Sequence, residues 1–237
     1  MNILFTHSYF LHFDEKQLDQ GKPYPPLGTI QAAACLRKND YNTALFDTNF
    51  VKNPLEIVNT LRSFKPEILV IYDDGFNYLT KMCLTKMRDA AFSMIKAAKE
   101  FNIHIIVSSS DSTDHFEKYL SVGADEIILG EGEITLMELV DAIKEKDDIS
   151  IIPGIAYKAD GGVVKTKPRE ILRDLDSLPL PAWDLINIDP YKINWQKHGI
   201  FTINVATTRG CPYKCNWCAK PIYGYSYHSR SPKHVVA

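Results

Sequence analysis

Five times between residues 2 and 146, a short and nearly unbroken apolar run gives way to a longer stretch with helical spacing. Few folds accept that alternation. The runs Asn2–Thr6, Thr43–Asp47, Ile68–Tyr72, His104–Ser108 and Glu126–Leu129 are mostly continuous and rich in β-branched residues, as strands covered on both faces are. Helices are predicted at Leu27–Lys38, Pro54–Phe64, Thr80–Phe101, Thr113–Ser121 and Glu133–Lys146. In the third of these, Cys83, Met87, Ala90, Met94, Ala98 and Phe101 recur with a 3.6-residue period, a stripe read as core packing. Five consecutive βα units imply an α/β fold: an open, doubly wound, Rossmann-like parallel sheet of five strands over residues 1–147.

Residues 148–200 change character. Ile155–Tyr157 and Val163–Thr166 flank Ala159-Asp-Gly-Gly162, a hairpin signal. The three prolines between Pro168 and Asp184 then fit an extended linker laid over a neighbouring surface. A further strand, Phe201–Ala206, leads into Cys211-x-x-x-Cys215-x-x-Cys218, which holds three of the five cysteines.

Bulk properties narrow the function classes. A net charge of -2 gives no nucleic-acid footprint. The start, MNILFTHSYF, lacks the basic region and apolar length of a signal peptide, and no apolar run approaches the roughly 20 residues of a membrane span. An odd number of cysteines, three of them clustered, points to a reducing compartment, the cytoplasm, and to metal or redox chemistry instead of a disulfide framework.

Ligands of open α/β sheets sit beyond the carboxyl ends of the strands, so the loops there are the informative ones. No Gly-x-Gly-x-x-Gly follows the first strand and no Gly-Lys-Ser/Thr occurs, which disfavours dinucleotides and nucleoside triphosphates. Asp73 and Asp74 lack the acidic pair and the lysine that a phospho-acceptor site needs. Candidate ligand contacts are Pro26, Leu27 and Gly28 at a helix start, Ser108, Ser109 and Ser110 after the fourth strand, and Gly130, Glu131 and Gly132 after the fifth. Ser112 is read as a helix cap, and the glutamates beside Gly130 and Gly132 favour a neutral ligand group over phosphate. His7 and His12 are read as ordinary surface or loop residues.

Three thiolates at this spacing can converge on one metal centre. Zinc would need a fourth ligand, with His228 or His234 in range, whereas three thiolates on a cubane iron–sulfur cluster leave one iron open for chemistry. The loop resembles the signature of radical S-adenosylmethionine enzymes, with Trp217 in the aromatic position. Pro25-Pro-Leu-Gly28, Gly130-Glu-Gly-Glu133, Ile152-Pro-Gly-Ile-Ala-Tyr157, Leu175–Asp184, Thr208-Arg-Gly-Cys-Pro-Tyr213 and Ser229-Arg-Ser-Pro232 follow the order of the cobalamin (B12)-binding subgroup of that family.

The resemblance implies that Cys211, Cys215 and Cys218 hold a 4Fe–4S cluster and that Trp217 lines the adenine of S-adenosylmethionine. Pro26–Gly28, Ser108–Ser110 and Gly130–Gly132 would contact cobalamin. An external donor such as flavodoxin or ferredoxin would supply electrons. The implied reaction is reductive cleavage of S-adenosylmethionine, followed by methylation, cyclisation or rearrangement at an unactivated carbon of a small molecule. The alternatives are a non-catalytic corrinoid- or partner-binding module with a vestigial cysteine loop, and a zinc-stabilised interaction protein.

The chain departs from the family pattern in lacking Asp-x-His-x-x-Gly and in carrying Ser108-Ser-Ser-Asp111 where relatives commonly have Gly-Gly-Pro-His. Residues 201–237 supply only the first strand of a (β/α) barrel and the beginning of a helix, so the chain is expected to be the front part of a longer enzyme and not catalytically complete alone.

Overall fold

The computed structural model describes residues 1–73, 84–215, 223 and 225–236. The five predicted strands appear as β1 (Asn2–Thr6), β2 (Asn42–Phe46), β3 (Ile68–Tyr72), β4 (His104–Ser108) and β5 (Glu126–Ile128), all parallel in the order β2-β1-β3-β4-β5. The helices of this region are α1 (Glu15–Gln20), α2 (Leu27–Arg37), α3 (Ile57–Phe64), α4 (Leu84–Lys99), α5 (Ser110–Asp114), α6 (Phe116–Val122) and α7 (Glu133–Glu145).

Successive side chains of a strand point to opposite faces, and the strands use this to build two cores. Ile3 and Phe5 pack with Ala32, Ala33 and Leu36 of α2 and with Leu136, Leu139 and Val140 of α7. Leu4, between them, packs with Ile57 and Leu61 of α3, Met94 and Ala98 of α4, and Tyr119 and Leu120 of α6. Each such fully buried side chain is worth about 1.5–3 kcal/mol of transfer free energy. Unbroken apolar strands are what two covered faces require.

The α4 stripe is core as expected at Met87, Ala90, Met94 and Ala98. Phe101 departs from it: α4 ends at Lys99, and the ring beyond it is 37% exposed. Cys83, the first residue of the stripe, lies outside the described residues. The helix predicted over Thr113–Ser121 is two helices, α5 and α6, separated at His115, whose backbone is non-helical. It also starts earlier, because Ser109 rather than Ser112 is the cap. The Ser109 hydroxyl accepts from the Ser112 amide at 2.8 Å, and Ser112 Oγ accepts from the Ser109 amide at 2.9 Å.

The hairpin is not a separate unit. Strands β6 (Ile155–Ala159) and β7 (Gly162–Lys165) join the sheet antiparallel beyond β5, with Glu126 opposite Tyr157 and Ala156 opposite Lys165. Among the described residues the sheet therefore has seven strands, not five. Ile155 and Ala156, both fully buried, extend the two cores past β5, so covering an otherwise open edge is favourable.

The linker lies over α2 as expected. Leu175 and Leu178 are buried; Gln31 Nε2 donates to the Pro179 carbonyl at 2.7 Å; the Ala182 amide donates to the Ile30 carbonyl at 3.1 Å. Helix α8 (Asp189–Trp195) then packs at the carboxyl ends of β1 and β2. The strand predicted over Phe201–Ala206 has the alternating exposure of a strand but no ladder partner among the described residues. Pairing begins later, where β8 (Thr208–Arg209) meets β9 (His228–Ser229) antiparallel, followed by α9 (Pro232–Val235). No helix among the described residues is long and apolar enough to cross a membrane.

Candidate cofactor and cluster site

The order β2-β1-β3-β4-β5 reverses between β1 and β3, and the crevice outside the strand ends at such a switch point is where these sheets bind ligands. The predicted contacts gather along this edge. Pro26 precedes α2, with Leu27 and Gly28 buried in its first turn; Thr29 Oγ1 donates to the Tyr72 carbonyl at 2.6 Å and so ties that turn to the end of β3. Ser108 ends β4, and a Cβ on Gly132 would lie 3.0 Å from Ser108 Oγ and 2.6 Å from Tyr72 Oη. Gly132 thus makes room for the tyrosine. Gly130 differs: its φ is +87° and a Cβ there would meet nothing within 4 Å. Its backbone is open on the Cβ side, where another group can approach closely.

Two predicted contacts are committed elsewhere. Ser109 uses its amide and hydroxyl in the cap of α5. Glu131 accepts from the Leu172 amide at 2.7 Å and from Arg209 Nη1 at 2.6 Å. Ser110 opens α5.

The edge also carries polar groups outside the predicted ligand contacts. His7, expected at the surface, is 2% exposed, with Nε2 2.9 Å from Asp47 Oδ1 and its ring against the Thr48 hydroxyl. Tyr191 of α8, fully buried, donates to Asp47 Oδ2 at 2.5 Å and accepts from Asn49 Nδ2 at 2.8 Å. Burial pushes the Asp47 carboxyl up, but the hydrogen bond and charge of His7, with Tyr191 and the Asn49 amide, outweigh it and hold Asp47 below the usual range. At the switch point itself, Asp73 accepts from the Ser8 amide at 2.7 Å and from Ser8 Oγ at 2.8 Å. There burial wins, and the Asp73 carboxyl is raised. His7 is absorbed by Asp47 and Thr48, so it does not reach into the crevice as a metal ligand. His12, half-buried, lies beside Phe13, Pro54 and Lys86, lining a surface hollow.

The cysteine loop is anchored to this same edge. Arg209, in β8, has a side chain 2% exposed and reaches Glu131 and Glu133, whose side chains are 6% and 2% exposed. Its Nη1 donates to Glu131 Oε1 at 2.6 Å and to Glu133 Oε2 at 3.2 Å, while Nη2 pairs with Glu133 Oε1. The Tyr223 ring centre lies 5.0 Å from the guanidinium carbon. Burial alone would lower the Arg209 pKa, but Glu133 and Tyr223 raise it, so the cation is secure. Gly210 follows with φ +81°, and a Cβ there would fall 1.9 Å from the Ser226 carbonyl oxygen. Only glycine passes.

Cys211, half-buried, and Cys215, exposed, come next, both as free thiols. Their chemistry fits a thiolate-ligated metal centre: neither is spent in a disulfide, and both lie near the surface. Cys218 and Trp217 lie outside the described residues. His228 pairs with Ser226 Oγ at 2.9 Å, and His234 Nε2 lies 2.8 Å from Arg230 Nη1. Arg230 in turn donates to the Leu175 carbonyl at 2.8 Å, and the Ser231 amide to Asp176, so the Ser229–Pro232 segment clamps onto the linker. For cobalamin, the open backbone at Gly130, past the end of β5, leaves room for a ligand to approach, without an imidazole from His7.

No family model matches the chain. Over 222 residues, 91% of this chain and 45% of the relative, it is 28% identical to an uncharacterized methyltransferase of Pyrococcus horikoshii. Over 214 residues, 88% of this chain and 40% of the relative, it is 26% identical to the anaerobic magnesium-protoporphyrin IX monomethyl ester cyclase of Synechocystis. The fold matches the cobalamin-dependent S-adenosylmethionine radical enzyme OxsB, solved with aqua-cobalamin and S-adenosylmethionine bound, at a TM-score of 0.72 and 20% identity over 98% of this chain and 30% of that one. The chain thus spans less than half the length of these relatives. In its motif order, its sheet and these likenesses together, the chain is similar to the radical S-adenosylmethionine enzymes that carry a cobalamin-binding domain.

Proposed function

We propose that this chain is part of an enzyme that cleaves S-adenosylmethionine reductively at a 4Fe–4S cluster and works with cobalamin. The reaction would be a methylation, cyclisation or rearrangement at an unactivated carbon of a small molecule. The observation that carries the reading is the convergence of family motifs that are far apart in the chain, the Glu131–Arg209 pair being 78 residues apart. Gly130–Glu133, Thr208–Cys211, Leu175–Ser177 and Ser229–Pro232 contact one another directly and leave the cysteine loop at the ligand-binding edge of the sheet.

In this reading residues 1–147, extended by the β6–β7 hairpin, form the cobalamin-binding domain, 148–200 supply the hairpin and linker, and 201–237 begin the radical domain. Cys211, Cys215 and Cys218 would hold three irons, with Trp217 against the adenine. When bound, the cluster supplies the electron that splits the sulfonium, and cobalamin supplies methyl-carrying chemistry. The chain's own part is placement and exclusion of water. Gly130 admits the ligand to the backbone, with Pro26–Gly28, Ser108 and Gly132 forming the crevice wall. Tyr72, pushed well above its usual range by burial, stays a neutral hydroxyl beside Gly132. Helix α8 closes the β1–β2 end through Tyr191. A soluble electron donor such as flavodoxin or ferredoxin, and a cytoplasmic setting, go with such chemistry.

Anaerobic reconstitution tests the reading. About four irons and four sulfides per chain, a cubane's content, with an electron paramagnetic resonance spectrum that changes on adding S-adenosylmethionine, is expected. One tightly held zinc, or neither metal with cobalamin retained, refutes it.

A further inference from the structure

We propose that Arg209 is the positioning residue that fixes the cluster loop against the carboxyl edge of the first sheet, through Glu131 and Glu133. This rests on the reading of that loop as a 4Fe–4S site. The three side chains are almost wholly buried. Burying such charges is poor value as stabilisation, since desolvation offsets most of the attraction and apolar residues of similar volume usually do as well. What the group provides is geometry. A guanidinium fork held by two carboxylates has one orientation, and a lysine could not reproduce it.

That orientation passes to the cysteines with little slack. The backbone of Arg209 pairs with His228 in the β8–β9 ladder, so the residue is held by its main chain on one side and by the β5–α7 loop on the other. Gly210 threads a gap beside the Ser226 carbonyl that admits no Cβ, and Cys211 is the next residue. Glu131 is also bound by the Leu172 amide of the linker. One cation therefore joins the sheet, the linker and the cluster loop.

The same group is continuous in sequence with Gly130 and Gly132. Gly130 precedes Glu131, and Gly132, lodged between the two glutamates, touches Tyr72 and Ser108. A ligand seated at Gly130 would rest on the loop that grips Arg209. The distance from such a ligand to the first cluster thiolate is then set through Arg209.

The test compares the unaltered chain with Arg209→Met, Arg209→Lys and Glu133→Gln after anaerobic reconstitution. It follows the rate of iron loss to a ferrous chelator, the resonance spectrum of the reduced cluster, and the far-ultraviolet melting of the first sheet. All three cysteines remain in Arg209→Met, so iron still binds. Its loss is expected to quicken by roughly 10- to 100-fold, the usual effect of removing a residue that orients metal ligands, with a broadened spectrum, and melting should fall because Glu131 and Glu133 stay buried without their cation. Arg209→Lys should recover part of this, and Glu133→Gln should fall between. Should Arg209→Met fail to fold, Glu133→Gln decides alone, because it keeps shape and the Glu131 contact. Iron loss and spectra equal to the unaltered chain in the folded variants overturn the role of Arg209 and leave the cluster reading standing. An unaltered chain that assembles no cluster responsive to S-adenosylmethionine overturns both.

Discussion

Two glycines with nearly the same backbone angle offer a controlled comparison. Gly130 has φ +87° and Gly210 φ +81°, so alanine at either carries the same left-handed strain, about 1–2 kcal/mol. Their surroundings differ. At Gly130 the new methyl meets open space. At Gly210 it falls 1.9 Å from the Ser226 carbonyl oxygen and 3.1 Å from that of Tyr223, where ordinary contact begins at 3.4 Å. The segment leading to β9 must retreat by about 1.5 Å, more than the two-residue β8–β9 pairing can absorb. Losing that pairing, including the Arg230 amide's bond to the Thr207 carbonyl at 2.8 Å, adds roughly 0.5–1.5 kcal/mol per bond. Gly210→Ala should therefore open the cysteine segment by about 2–4 kcal/mol, while the sheet core, which this segment does not enter, unfolds at nearly its original temperature. Iron and sulfide counts after anaerobic reconstitution, with a thermal melt, read both effects. Gly210→Ala is expected to lose most of its iron and Gly130→Ala to keep it, but to retain cobalamin less well. Equal iron in the two variants would show that backbone strain, not the Ser226 contact, governs the loop.

Tyr191→Phe removes a hydroxyl that donates to Asp47 and accepts from Asn49 inside the protein, and should cost about 1–3 kcal/mol in urea unfolding at neutral pH. Because the folded-state pKa of Asp47 lies below its unfolded value, its contribution is present above that unfolded value and is lost as pH falls through the folded one; the penalty of Tyr191→Phe should shrink over that acid range. A penalty that stays constant down to strong acid would rule out Asp47 as the partner that matters. Burial and the neighbouring Glu133 push the Cys35 thiol up to about 12, so in the metal-free native chain a thiol reagent should, of the three described cysteines, mark Cys215 first and Cys211 next, sparing Cys35 until unfolding, as read by mass spectrometry of the labelled peptides.

The parts of this fold legible in the sequence are those decided by local repetition. β1, β3 and β4 fall where the apolar runs put them because a strand buried on both faces leaves an unbroken apolar signature. What stayed hidden depends on partners far along the chain. Ala159-Asp-Gly-Gly162 marks a hairpin, but nothing near it says that Ile155 and Ala156 will dock on β5. His7 looks like a loop histidine until Asp47 and Thr48, some 40 residues on, enclose it. Arg209 could have been suspected: an arginine two residues before a cysteine, with two glutamates in a glycine loop nearly 80 residues earlier, is a charge match, though only the fold brings it together. The Phe201–Ala206 segment shows the converse, since alternation predicts a strand and gives an extended chain, but a ladder also needs a neighbour.

A residue that marks a family need not touch the family's cofactor, and this structure separates the two kinds by a physical criterion. Where the polar atoms of a marked residue are satisfied within the protein, substitution breaks a joint; where backbone is left open beside the crevice, substitution intrudes on a ligand. Glu131, Glu133 and Arg209 satisfy one another, Arg230 clamps the linker, and Gly132 yields its volume to Tyr72, so these are joints. Gly130, alone of the Gly-Glu-Gly-Glu loop, has unfilled space over its backbone. One arginine thus offsets, from within, one of the two glutamate charges that made phosphate an unfavourable ligand for this loop. The electrostatic objection to an anionic group at Gly130 is reduced accordingly, and the negative charge that remains is held on buried carboxylates turned toward Arg209.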